Sequence, residues 1–171
     1  NPVLDNEQAI SIIRSATDIL NRESGGNPYL VREELQESMQ NNVGIVRTKE
    51  LLTNGIDELE QIKNTYKTVK ADGASQYNPG WHEAIALRNL IITAESVARS
   101  ALMREESRGA HTRVDFPGEQ DKWIDYNVVI HKDDNGSMLT ELSKRVIPDP
   151  ELVRIANLSI NELEKEIATK T

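Results

Sequence analysis

The sequence contains no cysteine. That excludes a disulfide framework, a thiolate metal site and an iron–sulfur cluster held by this chain, and it suits a reducing compartment. Aromatic residues are only 4% of the total, with a single Phe, so the core must be aliphatic. No apolar run approaches the roughly 20 residues that a helix needs to cross a bilayer, and no charged-then-apolar signal segment opens the chain. Positive charge is also scarce. A net charge of −8 leaves no basic stripe to neutralise phosphates, so nucleic acid is not an expected partner. Leu, Ile, Ala, Glu and Lys are abundant, which favours helices over a sandwich or barrel. The 171 residues suffice for one domain, or one domain and a tail, around a real core. The chain reads as soluble.

Periodicity predicts four helices first. Asp5 to Asn21 has a cap at Asp5, Gln8 in the capping-box position, and Ala9, Ile12/Ile13, Ala16 and Ile19/Leu20 at helical spacing. Ser24-Gly25-Gly26 ends it. Asn27-Pro28 restarts a helix with a cap and a proline at the first helical position. Val31, Leu35 and Met39 are its apolar set, and Gly44 closes it. Thr48 caps a longer helix to about Lys70, with Leu52, Ile56, Leu59, Ile62, Tyr66 and Val69 on one face. Asn78-Pro79 opens the strongest pattern, running to Arg104: Ala84, Leu87, Ile91, Ala94, Ala98 and Ala101, with Leu90, Val97 and Leu102 widening the seam. The alanines let neighbouring helices come close, so this helix is expected at the centre of a bundle.

Beyond residue 113 the period becomes strand-like. Ile124, Tyr126, Val128 and Ile130 alternate with Asp125, Asn127, Val129 and His131, and Asp133-Asp134-Asn135-Gly136 supplies a turn. Met138 to Ser143 is expected to return as a second strand. A two-stranded hairpin is marginal alone and must lean on the bundle or on a partner. Pro148-Asp149-Pro150 reads as a hinge. After it, Ser159 and Glu162 form a capping-box pattern ahead of an amphipathic helix with Ile160, Leu163 and Ile167. Three segments result: a helical bundle over 1–113, a hairpin-containing extension over 114–147 and a helical tail over 148–171.

Few residues suggest chemistry. His82, His111 and His131 have no metal-ligand spacing. The adjacent pairs Glu105-Glu106 and Asp133-Asp134 diverge, and the calcium-loop reading of 133–136 lacks its terminal Glu. Gly25-Gly26 is a lone pair between helices, whereas a dinucleotide fingerprint needs three spaced glycines between a strand and a helix. No catalytic, cofactor-binding or metal-binding residue is assigned.

The charge-dense run Arg104-Glu105-Glu106-Ser107-Arg108-Gly109-Ala110-His111-Thr112-Arg113 is different. One reading is a solvated helix end, with Gly109 as the stop residue and basic side chains answering the macrodipole. The other is a docking element. Arg108 and Arg113 carry donors in fork geometry suited to carboxylates or carbonyls, and His111 joins the same network. The residue types alone leave both open.

The order of residues adds a resemblance. Leu87-Arg88-Asn89-Leu90 … Ala94-Glu95 … Ser100-Ala101-Leu102, then Arg104 to Arg113 and Val114-Asp115-Phe116-Pro117, resembles the Arg-Asn-Leu … Glu-Ser-Arg-Gly-Ala-His-x-Arg … Asp-Phe-Pro run of the succinate dehydrogenase/fumarate reductase flavoprotein. Asn27-Pro28-Tyr29 … Arg32-Glu33-Glu34-Leu35-Gln36 … Met39 … Val43-Gly44-Ile45-Val46-Arg47 is similar to a second stretch of that family. Trp123-Ile124 stands where it often has Trp-Leu.

The resemblance implies a mainly α fold: a spectrin-like three-helix bundle with an additional short helix, then a small β-hairpin and a helical tail. It implies a C-terminal piece of a subunit whose FAD site and substrate residues lie upstream, with no cofactor held here. It also implies packing on the FAD-binding and capping domains, a surface near the iron–sulfur subunit, and a peripheral place on the cytoplasmic side of a membrane without insertion. Glu106, Ser107, Arg108, His111 and Arg113 are the expected interdomain docking residues, with Arg88 and Glu95 on the same helix as further candidates. The parent enzyme would interconvert succinate and fumarate and pass electrons through iron–sulfur centres to quinone. The alternatives are the C-terminal domain of L-aspartate oxidase and an independent helical protein-interaction module.

Overall fold

A computed structural model describes residues 5–170, so the extreme ends of the two outer segments, residues 1–4 and 171, lie outside it. In chain order the elements are α1 (Asn6–Asn21), α2 (Pro28–Asn42), β1 (Val46–Arg47), α3 (Lys49–Tyr66), α4 (Pro79–Met103), β2 (Thr112–Arg113), β3 (Tyr126–Lys132), β4 (Met138–Lys144), α5 (Pro150–Ala156) and α6 (Ile160–Lys170). Helices α2, α3 and α4 pack on one another as the three-helix bundle, and α1 lies against α4. The caps fall where the sequence places them. Asp5, Asn27, Thr48 and Asn78 each accept backbone N–H groups of the first turn that follows, meeting donors that have no partner inside a helix.

The core is aliphatic. Val31 and Leu35 of α2, Leu52, Leu59 and Ile62 of α3, and the whole expected seam of α4 are buried together. Alanine in that seam removes side-chain bulk, and Gly55 does the same for α3. A Cβ on Gly55 would sit 2.9 Å from Asn42 Cβ and 3.0 Å from Val43 Cγ2, so the close crossing of α3 over the end of α2 requires glycine.

Several expectations change. Leu90 and Val97, expected to widen the seam, are 44% and 42% exposed, because α2 and α3 cover only one stripe of α4. On α1, Ile19 is buried, but Ile12 and Ile13 are 61% and 62% exposed. Helix α2 ends at Asn42 with Val43 as its cap, ahead of Gly44. Helix α3 ends at Tyr66 rather than about Lys70. Its continuation is pulled into backbone pairing with the glycine pair after α1, Gly26 N–H donating to Thr68 C=O (3.1 Å) and Lys70 N–H to Gly26 C=O (3.0 Å). Gly25 permits the approach, since a Cβ there would meet Thr68 O at 2.2 Å.

β3 and β4 form the expected antiparallel hairpin, in register from Tyr126↔Lys144 to Lys132↔Met138. Ile124 is not part of it. It belongs to a 3-10 turn, Asp121–Ile124, that drives Trp123 into the structure. The hairpin leans on α4, where Ser96 Oγ meets Met138 Sδ at 3.6 Å. In the tail, Asp149 caps α5, and Ser159 and Glu162 make the reciprocal capping box of α6. Arg154 ties the two helices through Glu151 and Glu166, while Leu152 and Ile160 stay exposed.

Asn78 does more than cap. Its Oδ1 accepts Trp81 N–H (2.9 Å), and its Nδ2 donates to the carbonyls of Asp72 (2.8 Å) and Ala74 (2.9 Å), closing the loop before α4. Asn78→Ala is expected to cost about 2 kcal/mol, the upper end for lost caps. Asn27→Ala, which loses a single cap bond from Tyr29 N–H (2.9 Å), should cost about 1 kcal/mol. Urea unfolding of the two variants checks the order.

Candidate functional site

Helix α4 stops at Met103, and the chain from Arg104 to Gln120 folds back around its C-terminal end. Gly109 is therefore not a helix stop. It takes φ +58° in a tight turn in which Arg108 and His111 exchange backbone hydrogen bonds of 2.9 and 3.0 Å. Residues after the turn form β2, which runs parallel to β1 with Val46↔Thr112 and Arg47↔Arg113 in register.

Arg113 occupies the centre and is 1% exposed. Its Nε and Nη2 donate to Asp115 Oδ1 and Oδ2, both at 2.8 Å. Its Nη1 faces the carbonyls of Ala101 (3.1 Å), Leu102 (3.1 Å) and Arg104 (3.2 Å). These carbonyls end α4 without intrahelical donors, so a cation here answers both the vacant acceptors and the negative end of the helix dipole. Asp115 in turn accepts the Lys49 N–H at 3.0 Å, placing an anion at the start of α3. The Arg113 fork holds the Asp115 carboxyl well below the usual carboxylate range. One ion pair thus joins the end of α4 to the beginning of α3.

Glu106 is fully buried. Arg104 Nε (2.7 Å) and Arg108 Nε (3.1 Å) donate to its Oε1, while Arg108 Nη2 (3.2 Å) and the Gln120 N–H (2.9 Å) donate to its Oε2. Burial alone would raise its pKa. The hydrogen bonds from Arg108, Gln120 and Arg104 outweigh burial and hold it at about 2. Arg108 also pairs with Glu119 at 2.7 Å, and Arg104 lies over the Trp123 ring. Ser107 Oγ accepts the Arg113 N–H (2.8 Å) and lies 3.0 Å from the carbonyls of Arg113 and Phe116.

His111 completes the cluster. Its Nε2 donates to Arg104 C=O at 3.0 Å, so its Nδ1 is the acceptor for Arg47 Nη1 at 2.6 Å. Burial, and then the nearby charges of Arg47, Arg113 and Arg104, lower its pKa, so the ring is neutral.

Glu106, Ser107, Arg108, His111 and Arg113 are therefore brought together. Glu106, Ser107 and Arg113 have their hydrogen-bonding groups satisfied within the chain, whereas Arg108 and His111 are half-buried and reach the surface. Glu95 lies elsewhere. It is buried between α3 and α4 with Lys63 (3.0 Å) and Arg99 (2.8 Å). Arg88 is exposed further towards the start of α4. Arg47, Arg104 and Asp115 also belong to the cluster, although none of them is among the expected docking residues. Asp115 reaches Arg113 through the turn that follows β2, closed by Phe116 N–H donating to Arg113 C=O at 3.1 Å.

A family model described as fumarate reductase flavoprotein C-terminal matches residues 32–165. The chain belongs to that family. It is 36% identical over 126 residues to the succinate dehydrogenase flavoprotein subunit of Rickettsia bellii, covering 71% of this chain and 21% of that protein. It is 36% identical over 109 residues to the fumarate reductase flavoprotein subunit of Escherichia coli, covering 63% of this chain and 18% of that protein. The fold is similar to a chain of the Mycobacterium smegmatis Sdh1 complex, with TM-score 0.83 and 32% identity over 96% of this chain and 28% of that one. The chain thus spans about a fifth of the curated relatives it matches. Membership of the flavoprotein C-terminal family accords with the mainly α fold, the three-helix bundle and the small hairpin.

The residues present do not fit a flavin. The described parallel strands are two residues each, no glycine-rich turn links a strand to a helix, and the first turns of α2, α3 and α4 are filled by their own cap side chains. Among the described residues no cluster of His, Asp or Glu is arranged to hold a metal, and no helix is long and apolar enough to cross a membrane.

Proposed function

We propose that this chain serves as the C-terminal helical module of a longer FAD-dependent flavoprotein subunit that interconverts succinate and fumarate. The module packs on the FAD-binding and capping domains. The assembled enzyme passes electrons to an iron–sulfur subunit and quinone, as a peripheral complex on the cytoplasmic side of a membrane. The observation that carries this reading is the closed Arg113–Asp115–Glu106 network in the family's own motif. It locks α3, α4 and the 104–120 loop into one unit without forming a reaction centre. Glu106, Ser107 and Arg113 hold the loop in shape, and Arg108 and His111 are the members placed to meet a neighbouring domain. Arg88 and Glu95 play a lesser part on the same helix.

A chimera tests the reading. This chain would replace the matching C-terminal part of the Escherichia coli fumarate reductase flavoprotein subunit, with flavin content and fumarate reduction as readouts. The expected result is retained flavin and activity, and a clear loss of both in Arg108→Ala. The 171-residue chain alone should be colourless. Stoichiometric flavin copurifying with it would refute the reading.

A further inference from the structure

Beside the closed network runs a groove that the network leaves open. It is a shallow, open depression of about 740 Å³ between α4 and β3. Ile92 and Val97 of α4, 45% and 42% exposed, form one wall, and Val128 and Ile130 of β3 form the other. Arg47, Arg104 and His111 stand at its end.

The charges at that end are not equivalent. Arg104 is committed to Glu106. Arg47 donates through Nε to the carbonyls of Gly44 (2.6 Å) and Val43 (3.3 Å), and through Nη1 to His111. No carboxylate among the described residues pairs with it. Burial and the neighbouring Arg113 both act against its charge. A half-buried guanidinium without an anion is a local site for a carboxylate from outside, whatever the sign of the net charge.

The β3 wall has a second unmet requirement. Arg145 N–H donates to Asp125 C=O, and Asp133 N–H to Ser137 C=O, so the odd-numbered residues between them bond across to β4. By the alternation of an antiparallel pair, the N–H and C=O groups of Val128 and Ile130 point away from β4. The sheet has two strands only, and the groove is lined by β3 and not β4, so this free edge borders the groove. Such an edge is a template for an added strand.

We propose that the groove takes an extended polypeptide segment carrying Asp or Glu beside aliphatic residues. The segment lies along the free edge of β3, with its carboxylate on Arg47 next to His111 and its aliphatic side chains on Ile92, Val97, Val128 and Ile130. The inference rests on the reading of this chain as a module docked in a larger assembly, and it specifies the chemistry of one docking segment. A small anion would satisfy Arg47 but leave the apolar walls and the strand edge uncovered.

The test uses a short fluorescein-labelled peptide of alternating Val and Glu, a matched Val/Gln peptide, and succinate alone, each titrated into the 171-residue chain at low salt. The acidic peptide is expected to bind and to shift the backbone amide resonances of Val128 and Ile130. Exchanging Glu for Gln should weaken binding about tenfold or more, as should Arg47→Gln. Val97→Glu, at an exposed position that leaves the core intact, should also expel the acidic peptide while unfolding at the wild-type temperature. Equal binding of the Gln peptide, indifference to both variants, unshifted Val128 and Ile130, or succinate reproducing the same shifts would each overturn the proposal. These outcomes are separate from the chimera: a failed titration leaves flavin content and activity to be judged on their own, and a failed chimera leaves the titration standing.

Discussion

Replacing Arg113 with Met is expected to destabilise the chain by about 3–5 kcal/mol, the range for breaking a buried ion pair from one side. The side chain is 1% exposed, and its donors serve a carboxylate and three helix-terminal carbonyls at once. Methionine fills much of the space but leaves those carbonyls facing an apolar group where water has little access. His111 still donates to the Arg104 carbonyl, so the exposed penalty falls mainly on Ala101 and Leu102. Arg113→Lys keeps the charge but not the fork, and should recover about half of the loss. Asp115→Asn weakens the fork from the other side and should cost less, because Asp115 is partly solvated. The double variant Arg113→Met/Asp115→Asn should fall short of the sum of the two by about 1 kcal/mol or more, since the pair acts as a unit. Urea unfolding of the wild type and the four variants measures all of this. An Arg113→Met variant within about 1 kcal/mol of wild type would show that the staple between α3 and α4 is not a stability element.

The seam of α4 could be read from the sequence because each of its residues answers to its own helix: a 3-4 spacing puts Ala84, Leu87, Ile91, Ala94, Ala98 and Ala101 on one line whatever the partner is. The width of the buried stripe could not. Leu90 and Val97 are as apolar as their neighbours, but whether they are covered depends on where α2, α3 and the hairpin lie. The end of α3 fails for a similar reason. Val69 sits in helical phase and is fully buried, yet its backbone has left the helix, because Gly25 and Gly26 offer a pairing across more than forty residues of chain.

The charged run divides along the same line. Its order marked it as more than a solvated helix end, and Glu106 and Arg113 are indeed buried. Four of their hydrogen bonds, however, go to backbone: the carbonyls of Ala101, Leu102 and Arg104, and the N–H of Gln120. Backbone acceptors have no side-chain signature, so the internal use of Arg113 could not be told from an external one by residue type. Asp115 becomes its obvious partner only once the chain is known to turn directly after Arg113, where the Phe116 N–H donates to the Arg113 C=O and folds Asp115 back onto the guanidinium.

Glu106→Gln is expected to cost about 3 kcal/mol near neutral pH, and to remove a specific part of the acid sensitivity. The carboxylate is fully buried and is the common acceptor for Arg104, Arg108 and the Gln120 N–H. Gln offers one oxygen in place of two and turns a donor towards a cation, leaving Arg104 without its carboxylate; Arg108 keeps Glu119. In the folded protein the Glu106 carboxyl is held at about 2, against an ordinary 4.5. A carboxyl whose folded pKa lies below its unfolded one binds protons more readily when unfolded. Its contribution is therefore fully present above pH 4.5 and is lost as the pH falls towards 2. Below that window the wild-type side chain is itself neutral, and its advantage over Gln is gone. Unfolding free energies followed from neutral pH into acid should thus show the wild type falling more steeply than Glu106→Gln, with the curves closing on each other near pH 2. Asp115 and the other carboxylates tilt both curves alike and cancel in the difference. Two curves that stay parallel across the whole acid range would mean that folding leaves the Glu106 pKa at its unfolded value, and the stabilising charge network assigned to it would be wrong.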